Sequence, residues 1–176
     1  MPPLREARSA MQPLRDLERV EIFDGIPDFV RKNRARGAKR AGLKYEEQAQ
    51  AKLSAAFAEA GLQYIQSPWF KYSRRSTPRM ENFAQPDGLC PDPKRGVIFL
   101  IEIKLKHTAE SYFQLLDKYV PLLEKYFNAE ERLWRIAPVE VCRWYDPAVA
   151  YPTSVKFRDN ILDCDPKDVS VHVCRP

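Results

Sequence analysis

Glu102 and Lys104 interrupt an apolar run, Val97 to Leu105 (VIFLIEIKL), whose composition is that of a buried strand. Side chains alternate across a strand, so the two charges share one face while Ile101, Ile103 and Leu105 share the other. A lone carboxylate or ammonium in a core costs on the order of several kcal/mol, so each needs a partner, a metal ion or water. An ion pair between the two is one solution. A metal ion is the other, and the chain offers more acids for it. If the turn PDPKRG (91–96) is centred on Pro93 and Lys94, the preceding segment folds back and sets Asp87 opposite the stretch from Leu100 to Glu102. Asp92 fails the same test, because it sits in the turn and Glu102 lies roughly 20 Å further along the strand. Glu46 precedes Ala49 by three positions and Leu53 by seven, so it falls on the apolar stripe of a helix, whereas Glu47 turns toward water. Three acids and a lysine at one point describe a hard-cation site, since magnesium takes oxygens from one or two carboxylates and leaves its other positions to water and phosphate.

A helix and three strands must place these groups, with a second helix behind them. Leu43 to Ala60 is alanine-rich, lacks glycine and proline, and is closed by Gly61, which predicts a helix with its stripe at Ala49, Leu53, Ala56, Phe57 and Ala60. LQYIQSPWFKYS (62–73) predicts a strand, RRSTPR (74–79) a basic loop, and NFAQPDGLC (82–90) a second strand; VIFLIEIKL is the third. TAESYFQLLDKYVPLLEKYF (108–127) has helical spacing, with Thr108 as N-cap and Pro121 imposing a kink or a new start. PVEVCRWY (138–145) predicts a fourth strand, and NILDC with VSVHVC a terminal hairpin. Ahead of all this, Leu14, Leu17 and Val20 have the spacing of a short amphipathic helix. The expected organisation is an N-terminal basic extension over residues 1–40 and one α/β domain over 41–176, without internal repeats or low-complexity tracts.

Bulk numbers agree with one such domain: 176 residues, 44% hydrophobic, with 29 Lys and Arg against 24 Asp and Glu. The net charge of +5 suits a polyanionic partner. No stretch approaches the ~18 apolar residues of a membrane span, and residues 1–21 lack the apolar centre of a secretory signal, so a cytoplasmic protein with no membrane partner is expected. Cys90, Cys142, Cys164 and Cys174 form no CxxC pair and are expected to be reduced. Cys164, His172 and Cys174 have the residue types of a metal site, but small side chains on a half-buried strand explain them equally well.

Pro86-Asp87, then Glu102-Ile103-Lys104 on the next strand, behind a helix carrying Glu46, resembles the PD-(D/E)XK nuclease superfamily, which includes many restriction enzymes, archaeal-type Holliday-junction resolvases and phage exonucleases. The element order is similar over residues 42–145, and GLKYE (Gly42 to Glu46) is similar to the first-helix signature of small resolvases. Gln114 matches a glutamine of several branches. The branch with a tyrosine four positions after that glutamine is not matched, because Lys118 stands there and Tyr119 follows. Other PD and D-x-K matches, at Pro27-Asp28, Pro91-Asp92, Asp92-Pro-Lys94 and Asp165-Pro-Lys167, lack the strand context; the two triplets contain proline and sit in predicted turns.

The resemblance implies a restriction-endonuclease-like α/β core: a mixed four-stranded sheet flanked by helices in the order α-β-β-β-α-β, with the hairpin appended. It implies a Mg²⁺- or Mn²⁺-dependent nuclease cutting phosphodiester bonds of DNA, on branched or structured substrates, with RNA left open. Asp87, Glu102 and the main-chain carbonyl of Ile103 would be metal ligands, and Glu46 would ligate directly, through water, or at a second metal. Lys104 would position or help deprotonate the attacking water, and a neighbouring cation would depress its pKa. Gln114 and Lys106 are candidates for orienting the nucleophile or gripping the backbone. Two symmetric cuts would call for a homodimer, and the cytoplasm of a bacterium or a phage-infected host is the implied setting. The competing reading is a nuclease fold that binds nucleic acid without cutting. Hydrolysis of a nucleotide is disfavoured by the lack of a GxxxxGK loop.

Phosphate contacts are expected from Arg31, Lys32, Arg34, Arg36, Lys39 and Arg40, and from Arg74, Arg75 and Arg79, with affinity falling steeply in salt. Trp69, Phe70 and Tyr72 have the chemistry to stack on bases, although core packing accounts for at least half of them. His107 follows the active strand as a lone histidine with no carboxylate to orient it, and is not counted.

Overall fold

The computed structural model describes residues 14–30, 38–129, 133–146 and 155–176. Along the chain run β1 (Leu17–Phe23), α1 (Ala38–Glu59), β2 (Ile65–Gln66), β3 (Trp69–Arg74), β4 (Thr77–Ala84), β5 (Gly88–Asp92), β6 (Val97–Lys106), α2 (Ala109–Phe113), a π-helical turn (Gln114–Tyr119), α3 (Val120–Phe127), β7 (Arg135–Trp144), β8 (Val155–Phe157), a 3-10 turn (Ile161–Asp163) and β9 (Val169–Val173). The architecture is α/β, with a six-stranded mixed sheet in the order β2-β5-β6-β7-β9-β8 and a separate three-stranded sheet in the order β1-β3-β4. No helix among the described residues is long and apolar enough to cross a membrane.

β6 is apolar almost throughout because both of its faces are covered. Val97, Phe99, Ile101 and Ile103 pack with Tyr45, Ala49, Leu53 and Phe57 of α1. Ile98 and Leu100 join a second core with Tyr112, Leu115, Leu122 and Leu123 and with Phe70 and Tyr72 of the small sheet. The strand pairs antiparallel with β5 and parallel with β7. α1 ends as its sequence requires: Gly61 takes φ +73° and the N–H of Leu62 returns to the carbonyl of Phe57 at 2.9 Å. It begins at Ala38, five residues before Leu43, so Gly42 lies inside the helix. The Thr108 side chain caps α2 by accepting from Ser111 N. Pro121 sits in the first turn of α3, where its missing N–H leaves the Asp117 carbonyl without an i+4 donor, and Leu14 N donates to that carbonyl at 2.8 Å instead.

Several expectations need correction. The sheet expected to have four strands has six, with three further strands in a sheet of their own. RRSTPR is not a loop throughout: Arg74 ends β3, Thr77 begins β4, and only Arg75 and Ser76 turn between them. Leu17 and Val20 lie in β1, paired with β3, and not in a helix; a bulge between Leu17 and Arg19 breaks the alternation, so the inward residues fall three apart and imitate helical spacing. LQYIQSPWFKYS is two strands in different sheets, split where Ser67 adopts φ +49° ahead of Pro68. NFAQPDGLC likewise divides between β4 and β5 at Gln85, Pro86 and Asp87. The two breaks are stapled together, since Gln85 Nε2 donates to Ser67 O at 2.9 Å and Ser67 N donates to Asp87 O at 2.9 Å. Finally, the terminal segments form no hairpin. NILDC is a 3-10 turn capped by the Asn160 side chain, and β9 enters between β7 and β8, parallel to both.

Candidate functional site

Gly88 pairs with Ile101, so Asp87, one residue earlier, faces Glu102 as β5 leaves the sheet. Asp87 Oδ2 accepts the Ile103 N–H at 2.6 Å, which fixes its carboxylate against the neighbouring strand. Its backbone is held as tightly, because the Asp87 carbonyl accepts from both Ser67 N and Gln50 Nε2, the latter at 2.8 Å. Tyr64 OH donates to Gln50 Oε1 and completes the clamp from α1. The Tyr64 ring lies where a Cβ at position 88 would stand, so only glycine fits there.

Glu102 is 2% exposed. Lys104 Nζ binds its Oε1 at 2.8 Å, and its buried Oε2 has no hydrogen-bond partner among the described residues. Burial, with the Asp87 charge added and Lys104 opposing, pushes the Glu102 carboxyl up to about 7. Burial also raises Asp87, against the Ile103 N–H and Lys104. Burial tends to lower Lys104, but Glu102, Asp87 and Glu46 together outweigh it, so the amine lies above the ordinary lysine value. The depressed lysine expected beside a cation is therefore not the state of the chain by itself.

Glu46 is half-buried and Glu47 exposed, as the helical stripe requires. α1, however, covers the Phe99, Ile101 and Ile103 face of β6, opposite the Glu102 face. Glu46 therefore reaches the site from its side: burial and then Asp87 raise its carboxyl, and Lys104 opposes. Two acids converge and the third flanks them, and no group of three His, Cys, Asp or Glu among the described residues stands as a ready ligand set. The tail residues do not supply one either. Cys164 and Cys174 are buried thiols, and His172 Nδ1 is hydrogen-bonded to the Arg158 carbonyl at 2.9 Å.

No protein-family model, curated protein or solved structure matches the chain. What the site can do is decided by its own chemistry.

A buried carboxylate with one bare oxygen, an acid on the adjoining strand and an amine at the edge fit a small divalent cation, which needs one or two carboxylates and keeps water on its remaining positions. The decoy acids do other work. Asp92 Oδ1 accepts from Lys94 N and Arg95 N, and Asp165 Oδ1 from Lys167 N, so both close turns.

Several residues near the site escaped the sequence. Gln114 Nε2 donates to Tyr119 OH at 2.9 Å, and Tyr119 OH donates to the Gln85 carbonyl at 3.0 Å. The wide π turn brings a tyrosine five positions on to a glutamine that an α-helix would have paired with Lys118. Lys118 is half-buried over the Tyr119 ring; burial depresses its amine and the Glu102 charge opposes. Glu140, directly across from Glu102, has both oxygens on His107 Nδ1, at 2.8 and 2.9 Å. His107 thus has the orienting carboxylate that the sequence did not reveal, in a pair that is wholly buried.

Among the expected phosphate contacts, Arg31, Lys32, Arg34 and Arg36 lie outside the described residues. Lys39, Arg40, Arg75, Arg79 and Lys106 are exposed. Arg74 is committed, its Nε on Asp16 Oδ1 at 2.8 Å. Hydrogen bonds from Ser76, joined by Arg74 and opposed by burial, hold the Asp16 carboxyl down to about 2. Phe70 and Tyr72 are core, and Trp69 packs edge-on to Phe29.

Proposed function

We propose that the chain is a divalent-cation-dependent nuclease of PD-(D/E)XK type that hydrolyses phosphodiester bonds of DNA, with branched or structured DNA as its substrate. The observation that carries this reading is the bare, buried Oε2 of Glu102 beside Asp87 and Lys104. Evolving a carboxyl that burial drives to about 7 in a core is unfavourable for folding alone, and a bound cation removes that penalty.

Asp87 and Glu102 would hold the ion, with the Ile103 carbonyl and Glu46 as further donors. A bound Mg²⁺ or Mn²⁺ supplies a lowered water pKa and neutralises charge on the phosphate and the leaving oxygen. Lys104 Nζ, at the edge of the same site, would orient the attacking water and offset charge on the phosphate. Gln114, tied to Tyr119, would act as a positioning group for the strand. Lys39, Arg40, Arg75 and Lys106 grip phosphates nearby. DNA is the partner proposed, and a homodimer the assembly that would make paired cuts.

Cleavage of a labelled panel (supercoiled circle, linear duplex, single strand, flap, four-way junction) with Mg²⁺, Mn²⁺ or EDTA tests the reading. Metal-dependent cutting by the wild type, lost in Glu102→Ala and Lys104→Ala, is expected. One observation favours a second reading: the ion pair of Glu102 with Lys104, at 2.8 Å, offers a structural use for both charges, as in a nuclease fold that binds nucleic acid without cutting. Binding across the panel without cutting in either metal would select it.

A further inference from the structure

Trp144 ends β7 with half of its surface, 51%, open to solvent, although a tryptophan there gains nothing from water. Two guanidinium groups lie over its ring, Arg143 at 5.3 Å and Arg175 at 5.8 Å from the centroid. Beside it opens a cleft of about 490 Å³ whose lining includes Lys44, Gln48, Leu105, Arg143 and Trp144. Among the described residues, Lys44, Arg143 and Arg175 take part in no ion pair. Among the described residues no carboxylate neutralises these three cations, and the ring that two of them flank keeps half of its surface open.

The platform is rigidly mounted. Cys174 N donates to the Cys142 carbonyl at 2.9 Å, and buried Tyr45 OH donates to the Cys174 carbonyl at 3.0 Å. Arg143 and Arg175 each follow one of these two pinned cysteines, so both side chains leave fixed backbone. Trp144 O also accepts the His107 N–H at 3.1 Å. Little ordering is left for a ligand to impose. The place is also informative. Glu102 pairs with Glu140 and Lys106 with Trp144, so Trp144 stands four residues along β7 from the partner of Glu102, roughly 13 Å away, and the cleft beside it is bounded by α1.

We propose that Trp144 is the stacking platform of a subsite for an unpaired nucleobase, with the flanking phosphates taken by Arg143, Arg175 and Lys44. A π-face of any base stacks on the exposed ring, and the cations follow the backbone without reading sequence. A base held in a duplex cannot reach the ring in this way, so the subsite selects single-stranded or frayed nucleic acid. The inference deepens the nucleic-acid reading above and does not depend on cutting.

The test is binding in EDTA, where cleavage is off, to oligo-dT, oligo-U, a hairpin duplex of equal charge and poly-glutamate. Wild type is expected to bind the single strands with quenching of tryptophan fluorescence. Trp144→Ala is expected to lose about tenfold in single-strand affinity with duplex affinity unchanged, and Trp144→Phe to restore affinity while part of the quenching disappears. Arg143→Ala with Arg175→Ala should lower the single-strand salt slope by about 1.4. A preference between oligo-dT and oligo-U names the natural strand. Equal single-strand binding by Trp144→Ala, an equal loss on duplex, or poly-glutamate binding as tightly as the single strands would overturn the proposal. Tight single-strand binding with no cutting of any substrate of the panel in Mg²⁺ or Mn²⁺ would sink the nuclease reading and leave this subsite standing.

Discussion

The carboxylate of Asp87 is hydrogen-bonded to the backbone N–H of Ile103, the residue between Glu102 and Lys104, at 2.6 Å. The acid of one strand is thereby locked in register with the acid and the amine of the next. Mispositioning any of the three by an ångström would disturb the other two, and this determines which substitutions are informative.

Glu102 should make stability depend on pH and on cations. Its folded value, near 7, lies above the ordinary carboxylate value, so the folded chain holds a proton that the unfolded chain releases. Stability without metal is then greatest at the acid end of the window, falls as pH rises from about 4.5 to 7, and stays low above it. Melting temperature in EDTA should drop by several degrees across that window, and Mg²⁺ at pH 8 should recover the loss. In Glu102→Gln the Mg²⁺ recovery should vanish and the pH dependence should shrink to what the raised Asp87 and Glu46 carboxyls supply; a wild type whose melting ignores Mg²⁺ at pH 8 would count against the metal site.

Acids that match the motif only in spelling should be silent. Asp92→Asn and Asp165→Asn keep an oxygen for the turn N–H groups they bind, so cleavage should stay within about twofold of wild type. Asp87→Asn and Lys104→Met should each lower single-turnover cleavage by about 10²-fold or more. A cleavage defect in Asp92→Asn as deep as that of Asp87→Asn would mean the wrong acid has been assigned.

The clamp on Asp87 predicts effects away from the chemistry. Gln50→Leu removes a buried donor to the Asp87 carbonyl and leaves Ser67 N in place, so it should cost about 1 kcal/mol in urea unfolding while slowing cleavage about tenfold. Gly88→Ala drives a methyl into the Tyr64 ring and should cost about 1–3 kcal/mol. Full activity in Gln50→Leu would show that the Ser67 bond alone positions the acid.

Basic residues should divide by what already holds them. Lys39→Ala with Arg40→Ala removes two exposed charges and should reduce the duplex salt slope by about 1.8, at about 0.9 per phosphate contact. Arg74→Ala breaks the Asp16 pair, so it should lower stability and leave the slope alone. Slopes from binding titrations between low and physiological salt decide the matter.

The strand with Glu102 and Lys104, the inward Glu46, the capping Thr108 and Gly61, and the placing of Asp87 opposite the stretch from Leu100 to Glu102 were legible because each follows from a local rule: alternation, helical spacing, cap chemistry or turn counting. The exact partner was not, because the turn is centred one residue later, on Lys94 and Arg95. What the sequence hid was non-local or broke a period. The bulge after Leu17 disguised a strand as a helix, and the left-handed Ser67 sent neighbouring residues to different sheets. The π turn shifted Tyr119 onto Gln114, and Glu140 met His107 only because β7 lies beside β6. Trp144 looked like one more strand aromatic, since its two arginines, Arg143 and Arg175, come together only when β9 docks.

β9 lies between β7 and β8, and β8 touches the large sheet only through it. As the chain leaves the ribosome, β8 therefore emerges with nowhere to pair, and β7 shows a bare, apolar edge until residues 169–173 appear. That interval is when a nascent molecule is most open to strand exchange with its neighbours. Since Cys174 pins Arg175 beside Trp144, the aromatic platform takes shape only after that edge has been sealed.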